Sequence, residues 1–359
     1  MAHSAVAAAR FWPLDGLKAV AALLILLHHG ALYGPLAQAL TEVTPAPAAW
    51  LQDFGRFAVH VFLVIGGYLA AGSLRPESRS PLIRRYLRLT LPFMAAVALT
   101  LVAHVLTLRW LPELAPTDLD LGQLLAHALL LHGILDQESL TVGAWYVAID
   151  FQLYVMLWWL MARRRPLIWI AGLALASALV FNRWSDWDNW APYFFAAYGL
   201  GALAQRLPQL GFRGHAAFAL VTLGVAAAWV IEPRGRLALA LATSVALMWM
   251  PWQSLPAGSM AAVSGYLGQR AYALFLTHFP VLLLVNAGFE LAGSPTAWAP
   301  MTLTLAAGLS YGTAHSFFRW IEQPAGRWTP EALVRALSSW KLLPVLSLVV
   351  GAQSLFDLV

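Results

Sequence analysis

The stretch LDGLKAVAALLILLHHGALY, residues 14–33, is long and apolar enough to cross a membrane as a helix, yet it contains Lys18 and His29. Eleven helical steps separate these residues, which places them on one face of the helix, about 16 Å apart along its axis. Ionisable side chains are costly in hydrocarbon, so both are expected to line the interior of a helix bundle. Because histidine titrates close to neutrality, the pattern predicts a reaction site or ligand path with His29 as a candidate base.

The composition of the whole chain indicates a membrane protein. Of its 359 residues, 60% are hydrophobic and 11% are charged, which leaves too little polar surface to cover a soluble globule. We therefore predict an all-α integral membrane protein. The first span lacks a small-residue cleavage site and is expected to stay in the protein as a helix. The absence of cysteine excludes disulfides, thiolate metal ligands and a cysteine acyl-enzyme.

Windows of about 20 apolar residues predict a polytopic bundle of about ten transmembrane helices. The predicted spans lie near 14–33, 55–74, 86–108, 145–162, 167–181, 191–205, 215–231, 236–251, 271–291 and 298–319. An eleventh span over 342–358 is an open alternative, so we divide the chain into a transmembrane domain, 1–340, and a C-terminal segment, 341–359. The short apolar segment 121–135 is expected to lie at the interface or to form a re-entrant piece.

The basic residues orient the bundle, because cytoplasmic loops collect Lys and Arg. With the N-terminus in the cytoplasm, the 22 basic residues fall at the inner ends of the spans, apart from Arg56, Arg109, Arg183, Arg234 and Arg236. The positive net charge is therefore a topology signal, and no single basic domain of the kind that binds nucleic acid is present. We expect a bacterial inner-membrane protein surrounded by membrane lipids, with no nucleic-acid partner.

Arg85 and Arg88 precede the third predicted span and lie one helical turn apart. Paired guanidinium groups suit the oxygens of a phosphate, so these residues are candidate ligands of a phosphorylated cofactor. The alternative is that they follow the positive-inside rule and contact anionic lipid headgroups.

Asp150 lies within the stretch WYVAIDFQLY, residues 145–154. Counted from the predicted outer ends of their spans, Asp150 and His29 lie at similar depths. A carboxylate bound to one imidazole nitrogen would fix the tautomer and stabilise the imidazolium that forms when the other nitrogen takes a proton. The alternative is that Asp150 bonds a Tyr or Trp on a neighbouring helix.

Six short segments together resemble the membrane acyltransferase-3 family. They are Lys18 with ten residues before His29 (basic-x10-His), Arg85-x-x-Arg88 (RxxR), the apolar run VHVFLVIGGY at 59–68, Trp145 to Tyr154 (W-x4-E-x3-Y-like), Tyr272 to His278 (Y-x-x-Y-x-x-H) and Glu322-Gln323-Pro324 (Glu-x-Pro). Each motif alone is weak, and the resemblance rests on their order from residue 14 to about 324.

The chain departs from the family pattern at several positions. Gly66 stands where the family usually has Ser, so no serine role is carried over to it. Asp150 replaces the usual Glu and shortens the reach of the carboxylate by one methylene. Lys18 replaces the commoner Arg and lacks its bidentate fork. His60 occupies a position that is frequently acidic, and Phe275 stands where the second Tyr of its motif would be.

The resemblance implies an acyl-CoA donor, often acetyl-CoA, and a hydroxyl acceptor on a saccharide or lipid-linked glycan. It assigns cofactor binding to Lys18, Arg85 and Arg88, and catalysis to His29 with Asp150 as its orienting carboxylate. Further substrate-binding or structural positions are Trp145, Tyr154, Tyr272, His278 and Glu322. The sequence contains no HExxH or paired-Asp motif, so no metal is expected.

The alternative is a protein of a different class. A secondary transporter or flippase for a glycan or lipid-linked substrate would also have about ten spans with His and Asp in its interior. A common sign of such transporters, a pair of spans broken by Gly or Pro in matching halves of the chain, is not found.

Overall fold

The computed structural model describes residues 12–75, 80–116, 119–250 and 258–327. Within these ranges the chain is helical and contains no strand. The helices are α1 (Trp12–Gly30), α2 (Gly34–Val43), α3 (Pro45–Phe54), α4 (Val59–Ser73), α5 (Ser80–Thr107), α6 (Leu121–Ala128), α7 (Ala144–Met161), α8 (Pro166–Leu179), α9 (Ala191–Arg206), α10 (Phe212–Ile231), α11 (Gly235–Trp249), α12 (Ser259–Gln269), α13 (Ala271–Leu291) and α14 (Ala299–Phe317). A π-helical turn, Phe318–Glu322, continues α14.

The predicted fold class is confirmed. Six helical stretches of the described chain are long and apolar enough to cross a membrane, or seven if the bent pair α1 and α2 counts as one span. The predicted spans 191–205 and 236–251 correspond to α9 and α11, which have only 16 and 15 residues. The count of ten therefore stays a prediction. The eleventh span and the segment 341–359 lie outside the described residues.

The outer faces of the peripheral helices expose large apolar side chains. Examples are Ile168 and Trp169 on α8, Leu220 and Leu223 on α10, and Met301 and Leu305 on α14. Apolar surface of this extent is rare on soluble proteins but is what a lipid environment requires. The protein is an integral membrane protein.

α1 ends at Gly30, and the chain then turns sharply, so that α2 lies at 92° to α1. Gly34 at the break has a φ of 76°, which favours glycine. The side-chain oxygen of Asn286, on α13, accepts a hydrogen bond from the backbone N–H of Leu36 at 3.0 Å. This contact fixes the bend against α13. The sequence predicted no helix over 34–54, where α2 and α3 are short and contain prolines.

α4 and α9 approach so closely that their backbones touch. Gly67 packs against the carbonyl group of Tyr198, and Gly201 packs against that of Val64. A methyl group at either glycine would overlap the opposing backbone. Small residues that allow such an approach are typical of helix pairs in membranes. α9 is buried along most of its length, so this pair forms the centre of the bundle.

The segment between α5 and α7 determines the depth in the helix bundle at which α7 begins. α6 has eight residues, too few to cross a membrane. The hydroxyl group of Tyr86 donates to the carbonyl of Ala128 at 2.6 Å, and that of Thr100 donates to the hydroxyl oxygen of Thr141 at 3.2 Å. Thr141 is buried. Because Thr100 lies about two turns before the end of α5, α7 begins beside the interior of α5 and not at its end.

Candidate active site

A cavity of about 910 Å³ lies between α1, α4, α5, α7 and α13. Basic side chains line it, contributed by Lys18, Arg75, Arg84, Arg85, Arg88 and Arg327. Aromatic rings also line it, contributed by Phe62, Tyr146, Tyr154, Tyr272, Phe275 and Phe318. α1, α5 and α13 begin at the same end of the bundle, which we call the basic end. The cavity is therefore suited to an anionic ligand that also carries an apolar portion.

Arg85 and Asp150 form an ion pair in the wall of this cavity. An Nη atom of Arg85 lies 2.5 Å from a carboxylate oxygen of Asp150, which is only 1% exposed. The guanidinium group of Arg85 also lies 5.3 Å from the ring centre of Tyr154. The second carboxylate oxygen of Asp150 and the hydroxyl group of Tyr198 have no hydrogen-bond partner among the described residues. Asp150 thus neutralises an arginine and joins α7 to α5.

The predicted contact between Asp150 and His29 is therefore wrong. The prediction placed the start of the Asp150 span at the outer membrane surface, whereas α7 begins deeper, where Thr141 bonds Thr100 of α5. Asp150 therefore lies closer to the basic end, where it forms an ion pair with Arg85. Arg85 was predicted to bind a phosphorylated cofactor. Because one of its N–H groups donates to the carboxylate of Asp150, less of its guanidinium group is available to such a ligand.

His29 forms its hydrogen bond with another histidine. Its Nδ1 atom lies 2.7 Å from Nε2 of His278 on α13, and the two ring planes are nearly parallel, with the ring centres 5.0 Å apart. Nδ1 of His278 lies 3.1 Å from the backbone carbonyl of Leu274. The centre of the His29 ring also lies 5.7 Å from the centre of the Tyr33 ring. His29 is partly exposed, whereas His278 is buried.

This chain of contacts assigns the tautomers of both rings when they are neutral. A carbonyl oxygen can only accept, so Nδ1 of His278 carries the hydrogen that it donates to Leu274. Nε2 of His278 is then an acceptor, and Nδ1 of His29 must donate to it. Nε2 of His29 is left with a free lone pair. The arrangement therefore presents His29 as a base, with His278 in the orienting position predicted for Asp150.

The remaining charged residues of the cavity lie at the basic end. Nζ of Lys18 lies 2.6 Å from a carboxylate oxygen of Asp15, one turn earlier on α1. Burial raises the pKa of Glu322 to about 7, and the nearby positive charges of Arg88 and Lys18 oppose this rise. Arg88 forms no ion pair with any described residue, which leaves its guanidinium group available to a ligand.

The other predicted site residues fall into two groups. Tyr154 and Tyr272 line the cavity, and the hydroxyl group of Tyr272 donates to the carbonyl of Leu89 at 3.0 Å. Trp145 does not line it. Trp145 is 36% exposed and stacks on Phe194 with ring centres 5.4 Å apart. Its position favours a structural or surface role.

Sequence reasoning did not single out two residues of the site. Tyr146 lies within the motif from Trp145 to Tyr154 and lines the cavity together with Asp150. Tyr198 lies in α9, and its buried ring packs under Gly66. Nothing in the sequence pattern of α9 distinguishes Tyr198 from packing residues. A methyl group at Gly66 would lie 3.4 Å from the unpartnered oxygen of Asp150, so the glycine leaves open the space beside that oxygen.

The family model for the acyltransferase domain matches residues 12–315. The match covers most of the chain, and the protein therefore belongs to the acyltransferase-3 family. Comparison with curated proteins gives no match, and comparison with solved structures gives none either. The protein is thus a membrane acyltransferase.

Proposed function

We propose that the protein transfers an acyl group from acyl-CoA, with acetyl-CoA as the first donor to test, to a hydroxyl group of a saccharide or lipid-linked glycan. The observation that carries this proposal is the chain from Leu274 through His278 to His29, which leaves Nε2 of His29 free to accept a proton. It is supported by the basic cavity, which suits a phosphorylated donor.

The donor would bind with its phosphates at the basic end and its thioester directed toward the middle of the bundle. Arg88 is the main phosphate ligand in this proposal, because Arg85 is engaged by Asp150. Lys18 and Arg84 add positive charge to the same lining. Lys18 and His29 are about 16 Å apart along α1, a span that an extended pantetheine arm can bridge. By the positive-inside rule, this end faces the cytoplasm of a bacterial inner membrane, together with the N-terminus.

The transfer step would use His29 as general base. Nε2 of His29 takes the proton of the acceptor hydroxyl, and the oxygen attacks the thioester carbonyl carbon. The carbon–sulfur bond then breaks, and the proton passes to the CoA sulfur, which gives an ester and free CoA. Direct transfer suits a chain without cysteine and with Gly66 in place of the family serine.

Arg88→Ala is expected to weaken acetyl-CoA binding by about tenfold or more, because a charge-assisted contact to phosphate is lost. Isothermal titration of CoA into protein in nanodiscs measures this effect. The matched control is Arg164→Ala, an exposed arginine of the loop between α7 and α8 that does not line the cavity. Equal losses in the two variants would contradict a specific site at Arg88.

Donor binding is expected to depend on pH through Glu322. Because the pKa of Glu322 is raised to about 7, its carboxyl group is neutral below that pH and negative above it. A bound phosphate disfavours the negative form, so affinity should be full below pH 7 and fall as pH rises, by at most about tenfold per pH unit for one proton. Glu322→Gln should abolish this fall.

The phosphates of CoA titrate in the experiments on wild type and on Glu322→Gln alike. The informative quantity is therefore the ratio of the dissociation constant of wild type to that of Glu322→Gln, measured across pH 6 to 9, a range of about three units that includes the pKa. A constant ratio would show that Glu322 does not face the donor.

A further inference from the structure

The cavity ends at a wall of aromatic rings before it reaches His29. Phe62, Tyr146 and Phe275 all line the cavity, whereas neither His29 nor His278 does. The ring of Phe275 lies 5.0 Å from that of Tyr146 and 6.2 Å from that of Phe62, in edge-on contacts. The centre of the same ring lies 6.2 Å from that of His278, one turn later on α13. Phe275 therefore separates the donor cavity from the histidine pair.

The backbone holds Phe275 from a further direction. Gly143 precedes α7 with a φ of 80°, and a methyl group built on it would lie 2.7 Å from the tip of the Phe275 ring. Glycine is needed here for both its backbone angle and its lack of a side chain. Gly143, Phe62 and Tyr146 thus surround a ring that has little room to move.

We infer that Phe275 determines the size of the acyl group that the enzyme transfers, and that it restricts transfer to short chains. The inference rests on the proposed function. The reacting carbon must come within about 3–3.5 Å of the acceptor oxygen beside His29. To do so from the cavity, the acyl group must pass the Phe275 ring.

The contacts of the ring explain why size matters. A small displacement of the ring admits an acetyl group, whereas a longer chain must push the ring into Gly143, Tyr146 or Phe62. Interiors packed in this way tolerate added methylene groups poorly. Phe275 is therefore a specificity-determining residue, and it occupies a position where the family motif has Tyr.

Phe275→Ala and Phe275→Leu test this inference. Purified protein in nanodiscs is given acetyl-CoA, butyryl-CoA or hexanoyl-CoA with water as acceptor, and release of the free thiol of CoA is followed. The ratio of kcat/KM for hexanoyl-CoA to that for acetyl-CoA is expected to rise by about tenfold or more in Phe275→Ala. Phe275→Leu, which retains more of the packing volume, should give a smaller rise in the same direction.

Phe318→Ala is the matched control, because Phe318 lines the same cavity at the basic end, where its ring lies 5.1 Å from Arg270. In Phe318→Ala the ratio of kcat/KM for hexanoyl-CoA to that for acetyl-CoA should equal the ratio in wild type. Unchanged ratios in both folded Phe275 variants would overturn the inference while leaving the proposed function intact. Thiol release from none of the three donors by folded wild type would overturn the proposed function and this inference with it.

Discussion

His29→Ala is expected to lower acyl transfer by roughly 10²–10⁴-fold, the range for loss of a general base. Donor binding should stay close to that of wild type, because His29 does not line the cavity. The measurement is thiol release from acetyl-CoA, made together with titration of CoA on the same sample.

His215→Ala is a suitable control for the loss of an imidazole. His215 lies on α10 and forms a local contact with the carbonyl of Gly211 at 2.9 Å. The acyl-transfer activity of His215→Ala should equal that of wild type. His278→Ala removes the acceptor of the Nδ1 hydrogen of His29, so activity should fall by a smaller factor than in His29→Ala. Normal transfer by folded His29→Ala would exclude His29 as the base.

Asp150→Ala is expected to destabilise the protein by about 3 kcal/mol, because it leaves the half-buried guanidinium group of Arg85 without its partner. We take the lower end of the range for buried pairs, since Arg85 keeps contact with the cavity. Thermal unfolding in detergent measures the change. Asp150→Glu keeps the carboxylate and should retain most of the stability.

The double variant Arg85→Met with Asp150→Leu separates two explanations for Asp150. Removing both charges leaves no unpaired group, so the double variant should be more stable than Asp150→Ala alone. If Asp150 instead oriented His29, Asp150→Ala would lose activity without losing stability. An unchanged unfolding temperature with a large fall in kcat would therefore contradict the ion pair as the main role of Asp150.

The sequence predicted the long helices of this bundle well, because their signal is local. The spans predicted over 86–108 and 271–291 correspond to α5 and α13, each a long run of apolar residues. α2, α3 and α12 were missed because helices of 10 or 11 residues are too short to fill a window of about 20 apolar residues. The bend between α1 and α2 depends on Asn286, which is distant in sequence and close only in the folded bundle.

The partners within the site could not be read from the sequence. The cavity lining contains Lys18, Arg85 and Arg88, all of which were predicted to share a cofactor site. The partner of His29 was assigned wrongly, because depth was counted from helix ends. That method fails for α7, whose start is set by the contact of Thr141 with α5. His278 was named as a site residue, but only the packing of α13 on α1 shows that it contacts His29.

We propose that one site binds the donor at Arg88 and performs transfer at His29. The most direct test measures CoA binding and thiol release from acetyl-CoA on the same purified samples of wild type, Arg88→Ala and His29→Ala. We predict that Arg88→Ala loses donor binding, and that His29→Ala binds the donor normally but does not transfer the acyl group. Retained transfer in His29→Ala, or normal donor binding in Arg88→Ala, would contradict this two-part site.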